Sequence, residues 1–362
     1  MKKHIPVVKP YLPDKKKYIK YLNRIWKESW LTNFGPIHNE YINSAKNYLG
    51  VNYVYPFLNG TTSLEATISI LGIKGKEIIT TPFTFAATIT SIINSGNIPI
   101  FIDVNINDGN IDINKIEEKI TKNTAAILPV HIYGNPVDIE KIEIIAKKYD
   151  LYTIYDSAHM FGVTINNIGI GNFGDVSVFS THATKVFHTI EGGLITFNNP
   201  EIFRISKLFS NFGFNEEYDV IYPGTNGKMN EFQASMGLCI LDDLDLIISK
   251  RKNVFEFYKK YLPNDIIFTK YDNKNIHYNY IYMIIKHPNR DKIKNDLLVK
   301  NVSSRPYFYP ICSEFTLIKK LYGNIEMPIA LNLSKEVLAI PMYSELTEND
   351  VEYISKIIIK NI

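Results

Sequence analysis

The sequence predicts an α/β protein with a mostly parallel central sheet, helices on both faces of that sheet, and a smaller α+β unit towards the C-terminal end. Three observations predict it. Short β-rich runs alternate with helical ones from about residue 51 to residue 200, the rhythm of strand–helix crossovers in a parallel sheet. After Pro263 that rhythm gives way to shorter strands and separate helices. A length of 362 residues also suits a large unit joined to a small one. The expected division is 1–245 for the N-terminal segment with the large domain, and 246–362 for the small domain.

The elements follow in order. Tyr18, Ile19, Tyr21, Leu22, Ile25, Trp26 and Trp30 recur at helical spacing over 14–30, predicting an amphipathic helix that LTNFGP (31–36) breaks. A second helix is expected over about 38–49, closing at Gly50. Strands are expected at Tyr53–Leu58, Glu77–Thr80, Ile98–Val104, Ala125–Val130, Tyr152–Tyr155 and Val176–Ser180. Helices fall between them at 62–71, 84–95, 112–120 and 138–149. A long helical stretch covers 230–262. Beyond it come strands at Ile266–Lys270 and Tyr278–Ile285, a helix near 290–299 and a last helix at 347–361. Ligands of such sheets bind at the carboxyl ends of the strands, so functional residues are expected just after them.

Composition narrows the function classes. Hydrophobic residues at 45% and charged residues at 21% fit an ordered globular chain. Forty basic against 37 acidic side chains leave a net charge of +3, too balanced for a surface that coats a polyanion. No nucleic-acid partner is expected. Cys239 and Cys312 stand far apart without CxxC spacing, so no metal or redox centre is expected and a reducing compartment fits. The opening MKKHIPVVKPYLPDKKK lacks the apolar core of a secretory signal. No run approaches the ~18–20 apolar residues of a membrane span. A cytoplasmic protein is expected.

Four segments could carry chemistry. Gly169, Gly171 and Gly174 spell GxGxxG, but a β run, DVSVFS, follows them where a dinucleotide site needs a helix. A Gly-rich turn between strands is expected there. Asn59-Gly60-Thr61-Thr62-Ser63 links a strand to a helix, where free backbone amides and the positive helix end make an anion site. N-capping by Thr61 or Thr62 is the plainer account of the same residues. Asp156 follows an apolar strand and is expected to be partly buried, which demands a donor: a protonated ring nitrogen, an arginine or a backbone amide. Lys185 lies after a strand with uncharged neighbours. A phosphate cradle, a buried aspartate and a lysine amine together are the parts that hold pyridoxal phosphate.

Ordered motifs then carry a resemblance. KPYLP (9–13), WLTNFGP (30–36), NGTTSL (59–64), TPFTFAAT (81–88), PVHIYGNP (129–136), YDSAHMFG (155–162), FSTHATKVFHTIEGG (179–193), GTNGKMNEFQA (224–234) and RPYFYP (305–310) span nearly the whole chain. Together they resemble the DegT/DnrJ/StrS family of pyridoxal-phosphate-dependent sugar-nucleotide aminotransferases. The resemblance implies the aspartate-aminotransferase-like fold type I and pyridoxal 5′-phosphate bound covalently to Lys185 as a Schiff base, with pyridoxamine 5′-phosphate as intermediate. It implies that Asp156 faces the pyridine nitrogen, His159 lies near the phenolic oxygen and Phe85 stacks on the ring. Gly60, Thr61 and Ser180 match the phosphate contacts, and Asn226 matches a residue reaching the phosphate of a neighbouring subunit, so a homodimer with shared sites is implied. Thr32, Asn33, His182, His188, Lys228, Arg305 and Tyr307 fall on the substrate side. The chain departs from the pattern at Thr181, where many relatives carry Phe, which bears on the shape of that side.

The family's sugar dehydratases have histidine where this chain has Lys185, which favours transamination. The wording around Lys185 and Asn226 is nearest to members that aminate C4 of a dTDP-linked 4-keto-6-deoxyhexose with L-glutamate, for surface-glycan biosynthesis. Amination at C3 or with galacto configuration is the alternative within the family. An NAD-dependent nucleotide-sugar dehydrogenase or epimerase and a catalytically silent regulator are the alternatives outside it.

Overall fold

A computed structural model describes residues 4–362; the first three residues, which open both the N-terminal reading and the expected first domain, lie outside it. The N-terminal segment forms α1 (Lys15–Glu28) and α2 (Pro36–Leu49). The large sheet region follows as β1 (Tyr53–Phe57), α3 (Gly60–Ile70), β2 (Glu77–Thr80), α4 (Ala86–Asn94), β3 (Ile98–Phe101), β4 (Thr124–Ile127), α5 (Ile139–Tyr149) and β5 (Tyr152–Asp156). It continues through β6 (Thr164–Ile165), β7 (Ile168–Gly169), β8 (Val176–Ser180), β9 (Gly193–Phe197) and α6 (Pro200–Ser210). Then come α7 (Glu231–Leu241), α8 (Leu244–Tyr261), β10 (Ile276–His277), β11 (Met283–Lys286), α9 (Arg290–Val299), α10 (Thr316–Tyr322), α11 (Pro328–Glu336), β12 (Val337–Ile340) and α12 (Glu348–Ile359).

The central sheet has seven strands in the order β1-β9-β8-β5-β4-β2-β3. The pairs β3–β2, β2–β4, β4–β5 and β5–β8 are parallel, while β9 runs antiparallel to both its neighbours, β8 and β1. Two reversals restore direction, so β1 points the same way as β8. The carboxyl ends of β1, β2, β5 and β8 therefore share one edge. Strands with both faces covered read as apolar runs, and the buried Ile78, Ile79, Ile127, Ile154, Val176 and Val178 are of that kind. Among the described residues no helix is long and apolar enough to cross a membrane.

Several expectations are corrected. The stretch 112–120 forms two short 3₁₀ turns, Ile113–Lys115 and Glu117–Lys119, rather than one helix; Ile116 is its one deeply buried anchor between them, too little to stabilise a costly helical nucleus. The helical stretch 230–262 breaks at Asp242-Asp243, where the Asp243 carboxylate is drawn to Lys17 Nζ at 2.8 Å and Tyr11 OH at 3.1 Å. The run 266–270 makes a single bridge, Ile267 to Ile285, because the Ile284 amide is taken by the Thr269 hydroxyl at 3.2 Å and the ladder stops. No strand was expected at β9 or β12, nor helices at α6, α10 and α11, yet α6 carries ordinary signals: an Asn199 cap, Pro200 at its start and Lys207 in its last turn.

The GxGxxG glycines sit on β7, a 3₁₀ turn and a loop before β8. Their reason is packing: a Cβ at Gly169 would stand 2.1 Å from the Leu49 carbonyl oxygen, and one at Gly171 would stand 2.7 Å from Thr196 Oγ1.

Candidate active site

The shared strand edge opens on a cavity of about 560 Å³. Gly60, Thr61, Phe85, Asp156, His159, Ser180 and Lys185 all line it, as do His182, Arg305 and Tyr307. These residues come from five chain segments, and the fold brings them together.

The α3 turn follows β1 directly. Its first amides have no intrahelical acceptor. The cap is Asn59, whose Oδ1 accepts the Thr62 amide at 2.8 Å, rather than Thr61 or Thr62 as the plainer reading had it. The amides of Gly60 and Thr61 and the Thr61 hydroxyl are left lining the cavity. Opposite them stands Ser180, the last residue of β8. A Cβ at Gly60 would meet Ser180 Cβ at 3.1 Å, so glycine keeps this cradle open.

Asp156 ends β5 and is 5% exposed. Its Oδ2 accepts the Thr88 hydroxyl at 2.8 Å and its Oδ1 the Ala158 amide at 3.1 Å. Burial pushes its carboxyl above the usual range, against these two bonds and the nearby Lys185 charge. His159 follows on the next turn, its ring stacked on Phe308 at 6.4 Å and edge-on to Tyr282 at 5.1 Å. Burial and Lys185 push it well below its ordinary value, so the imidazole is neutral. Its Nδ1 has no partner among the described residues.

Lys185 stands in the loop joining β8 to β9. That loop is pinched at its base: Thr181 and Thr189 exchange a hydroxyl bond at 2.6 Å, and the Thr181 amide donates to Gly192 at 2.9 Å. Thr181 is fully buried and does not line the cavity, so the departure there shapes the loop's latch rather than the substrate side. Gly192 is required beside it, since a Cβ would lie 2.0 Å from Thr189 Oγ1. Burial lowers the Lys185 ammonium from 10.5 to about 8, with Asp156 pulling the other way. A half-buried amine near neutrality beside a carboxylate is equipped to attack a carbonyl and to carry protons.

The rim is aromatic. Phe85, at the start of α4, is 62% exposed. Arg305 donates to Tyr307 OH at 3.0 Å and is fixed by backbone bonds to Ala339 of β12, while Tyr133 OH donates to the Tyr307 carbonyl. His182 lies 3.4 Å from Glu191 and bonds Thr184 Oγ1 at 2.8 Å.

Five residues expected on the cofactor or substrate side do not reach this cavity. Thr32 and Asn33 are exposed on the loop before α2. His188 is buried and spends its ring on backbone, Nε2 on the Tyr11 carbonyl at 2.7 Å and Nδ1 on the Ile190 amide at 3.3 Å. Lys228 packs over the Phe212 ring at 4.8 Å and donates to Asn226 Oδ1 at 2.8 Å. Asn226 itself is exposed, although its loop is anchored beside β1 through the Leu58 amide and Gly227 carbonyl, 2.9 Å apart. Conversely, Thr84, Thr88, Glu191, Tyr282 and Phe308 line the cavity without having been singled out. Thr84 and Thr88 had a signal, a hydroxyl pair four residues apart at a helix start; Tyr282 had none.

A family model described as the DegT/DnrJ/EryC1/StrS aminotransferase family matches residues 13–359. The dTDP-4-amino-4,6-dideoxy-D-glucose transaminase of Shigella dysenteriae is 39% identical over 360 residues, 98% of each chain. The protein of the same name from Escherichia coli is 39% identical over 376 residues, 99% of this chain and 98% of its own. The crystal structure of DesI in the presence of its TDP-sugar product superposes with a TM-score of 0.92 at 26% identity, over 99% of this chain and 92% of that one.

Proposed function

This chain belongs to the DegT/DnrJ/EryC1/StrS aminotransferase family, and from that premise we propose that it transfers an amino group from L-glutamate to C4 of a nucleotide-linked 4-keto-6-deoxyhexose. The specific reaction is dTDP-4-keto-6-deoxy-D-glucose to dTDP-4-amino-4,6-dideoxy-D-glucose, a step towards a surface glycan. The observation that carries the reading is the meeting of Lys185, Asp156 and the first turn of α3 in one cavity. The 39%-identical relatives named for this product support the sugar and its nucleotide.

The cofactor is pyridoxal 5′-phosphate, and the residues fit it. The bare amides of Gly60 and Thr61 with the hydroxyls of Thr61 and Ser180 suit a phosphate, at the positive end of a helix. Asp156, a buried carboxyl lining the cavity, suits a protonated ring nitrogen. The unpartnered Nδ1 of His159 suits an oxygen on the ring, and the exposed Phe85 ring suits stacking. When bound, the cofactor supplies an electron sink for the charge left at the donor's Cα.

The chain's own residues do the rest. Lys185 Nζ, biased towards the free amine by burial, holds the cofactor and then moves a proton at Cα of glutamate and, in the second half-reaction, at C4 of the sugar. Asp156 keeps its negative charge against the ring nitrogen's proton. His182, Arg305 and Tyr307 contact the substrate from this chain; Thr32, Asn33 and Lys228 contribute from the partner, while His188, buried and bonded through both ring nitrogens to backbone, serves packing. Asn226 reaches the phosphate of a second copy. The exposed Phe212, Phe214, Tyr218, Val220 and Ile221 on the same connection support such an interface. The division at 245–246 belongs to this reading, since the seven-stranded sheet lies within 53–197 and the β11–β12 sheet within 283–340. The reaction is cytoplasmic, where the two buried free thiols stay reduced.

The test is product analysis. The protein is incubated with pyridoxal phosphate, L-glutamate and dTDP-4-keto-6-deoxy-D-glucose, and the sugar is read by NMR. A 4-amino sugar of gluco configuration is expected. A 3-amino or galacto product would move the substrate assignment within the family, and no amino sugar with any keto-sugar nucleotide would sink the reading.

A further inference from the structure

Thr88 departs from a habit that several other hydroxyl residues in this protein's helices keep. A threonine or serine inside a helix commonly turns its hydroxyl back to the carbonyl four residues earlier. Thr67 does so to Ser63 at 2.8 Å, Thr90 to Ala86 at 3.0 Å, Ser206 to Ile202 at 2.6 Å and Ser235 to Glu231 at 2.7 Å. Thr88 does not. The carbonyl four residues before it, that of Thr84, is taken by the Cys312 thiol at 3.3 Å. Thr88 is 1% exposed and directs its hydroxyl to Asp156 Oδ2 at 2.8 Å instead.

The proton direction follows. An ionised carboxylate only accepts, and a hydroxyl has one proton. With Asp156 read as the carboxylate, Thr88 gives its proton to Asp156 and receives that of Thr84, whose Oγ1 lies 2.9 Å away. Thr84 is held in place from outside the helix, because the Cys312 amide also bonds the Pro82 carbonyl at 2.8 Å. The relay Thr84–Thr88–Asp156 is thus aligned for one charge state of its last member. We infer that Thr88 is a positioning residue: its hydroxyl, with its proton oriented by Thr84, aims Asp156 into the cavity and holds it as the carboxylate. This rests on reading Asp156 as the partner of the cofactor's ring nitrogen. The Thr88 bond is also the largest influence opposing the upward push of burial on Asp156, ahead of the Ala158 amide and Lys185.

The test uses the full chain freed of cofactor, with pyridoxamine phosphate as the probe and equilibrium binding measured across pH, so no turnover is needed. Thr88→Val keeps the branched shape and removes the hydroxyl; Thr88→Ser keeps the hydroxyl. Losing one hydrogen bond to a charged group predicts about tenfold weaker binding for Thr88→Val near neutral pH. Its acid limb should move up by about one pH unit, while Thr88→Ser stays within about twofold of the parent. Thr84→Val, which removes the director alone, should shift the limb in the same direction by less, and it decides the matter if Thr88→Val does not fold. An unchanged pH profile in the valine variants, or equal weakening by valine and serine at Thr88, overturns the inference. Asp156→Asn separates the two layers. If it moves the profile and Thr88→Val does not, only the role of Thr88 fails; if Asp156→Asn itself binds the probe like the parent, the reading of Asp156 fails.

Discussion

Lys185 owes its chemistry to where the β8–β9 loop places it. Burial takes its ammonium from 10.5 to about 8, so near pH 8 about half of it is free amine, against well under about 1% for an unshifted lysine. Because the unfolded chain holds that proton longer, the group adds stability to the cofactor-free protein as pH rises from about 8 towards 10.5, and withdraws it as pH falls back through 8. Reductive labelling with pyridoxal phosphate and borohydride should therefore rise with a midpoint near pH 8 and tag one peptide, that of Lys185. A midpoint above 10, or a pyridoxyl group on another lysine, would remove the assignment; Lys185→Ala should lose both label and turnover. Asp156→Asn keeps shape and drops charge. At saturating cofactor it should slow the glutamate half-reaction by about 10²–10³-fold, and a near-parental single-turnover rate would mean that the carboxylate is only structural. Both residues stood out in the sequence because Asp156 closes an apolar strand and Lys185 lies in the loop a few positions after another. Tyr282 and Phe308 did not, because a tyrosine or phenylalanine in an apolar run gives no sign of which cavity it will face.

At the scale of elements, α2 shows how a distant residue completes a helix. Its cap position is Gly35, which has no side chain to offer. The carboxylate of Glu231, the first residue of α7, accepts the amides of Ile37 at 2.9 Å and His38 at 3.0 Å instead. Its own amide holds the Leu31 carbonyl at 3.0 Å, so one residue grips both ends of the loop that carries Thr32 and Asn33. Gly35 leaves the room, since a Cβ there would stand 2.6 Å from the Glu231 carboxyl carbon. Glu231→Ala leaves two amides unpaired in a buried place and should cost about 2–4 kcal/mol in urea unfolding, with Glu231→Gln losing roughly half as much. A loss under about 0.5 kcal/mol would show that solvent takes over the cap. Local signals placed α5 and α9 closely, and α5 has its Asp138 cap as well. They did not predict the Glu231 cap, whose partners lie almost two hundred positions upstream.

At the scale of the molecule, the buried cluster that contains Ile37, Tyr41 and Phe187 also contains Ile248, Tyr258 and Ile354, so both proposed domains share one core. Assembly carries the remaining prediction. If Asn226 serves a partner's phosphate, mixing an inactive Lys185→Ala chain with an inactive Asn226→Ala chain rebuilds one site with both residues intact in each mixed dimer. About a quarter to a half of parental activity per mixed dimer is then expected from an isologous pair. No recovery, with subunit exchange confirmed by mass, would place Asn226 in its own chain's site or in none. The anchoring of its loop beside β1 makes that outcome a real alternative, and the mixing experiment decides it.

By itself the sequence determined the α/β class, the apolar strands and most of the helices, because those depend on side chains a few positions apart. It also determined which residue types could hold a phosphate, a ring nitrogen and a carbonyl, because motif and spacing are local. Only the tertiary structure decided that β9 reverses the sheet, that the long helix breaks at Asp242-Asp243 and that 266–270 pairs by a single bridge. It alone decided that Thr181 and His188 serve packing and that Thr88 turns to Asp156 rather than to its own helix. Each of these turns on a hydrogen-bonding group finding its partner from a remote segment, and that choice is made by burial when the chain closes around its core.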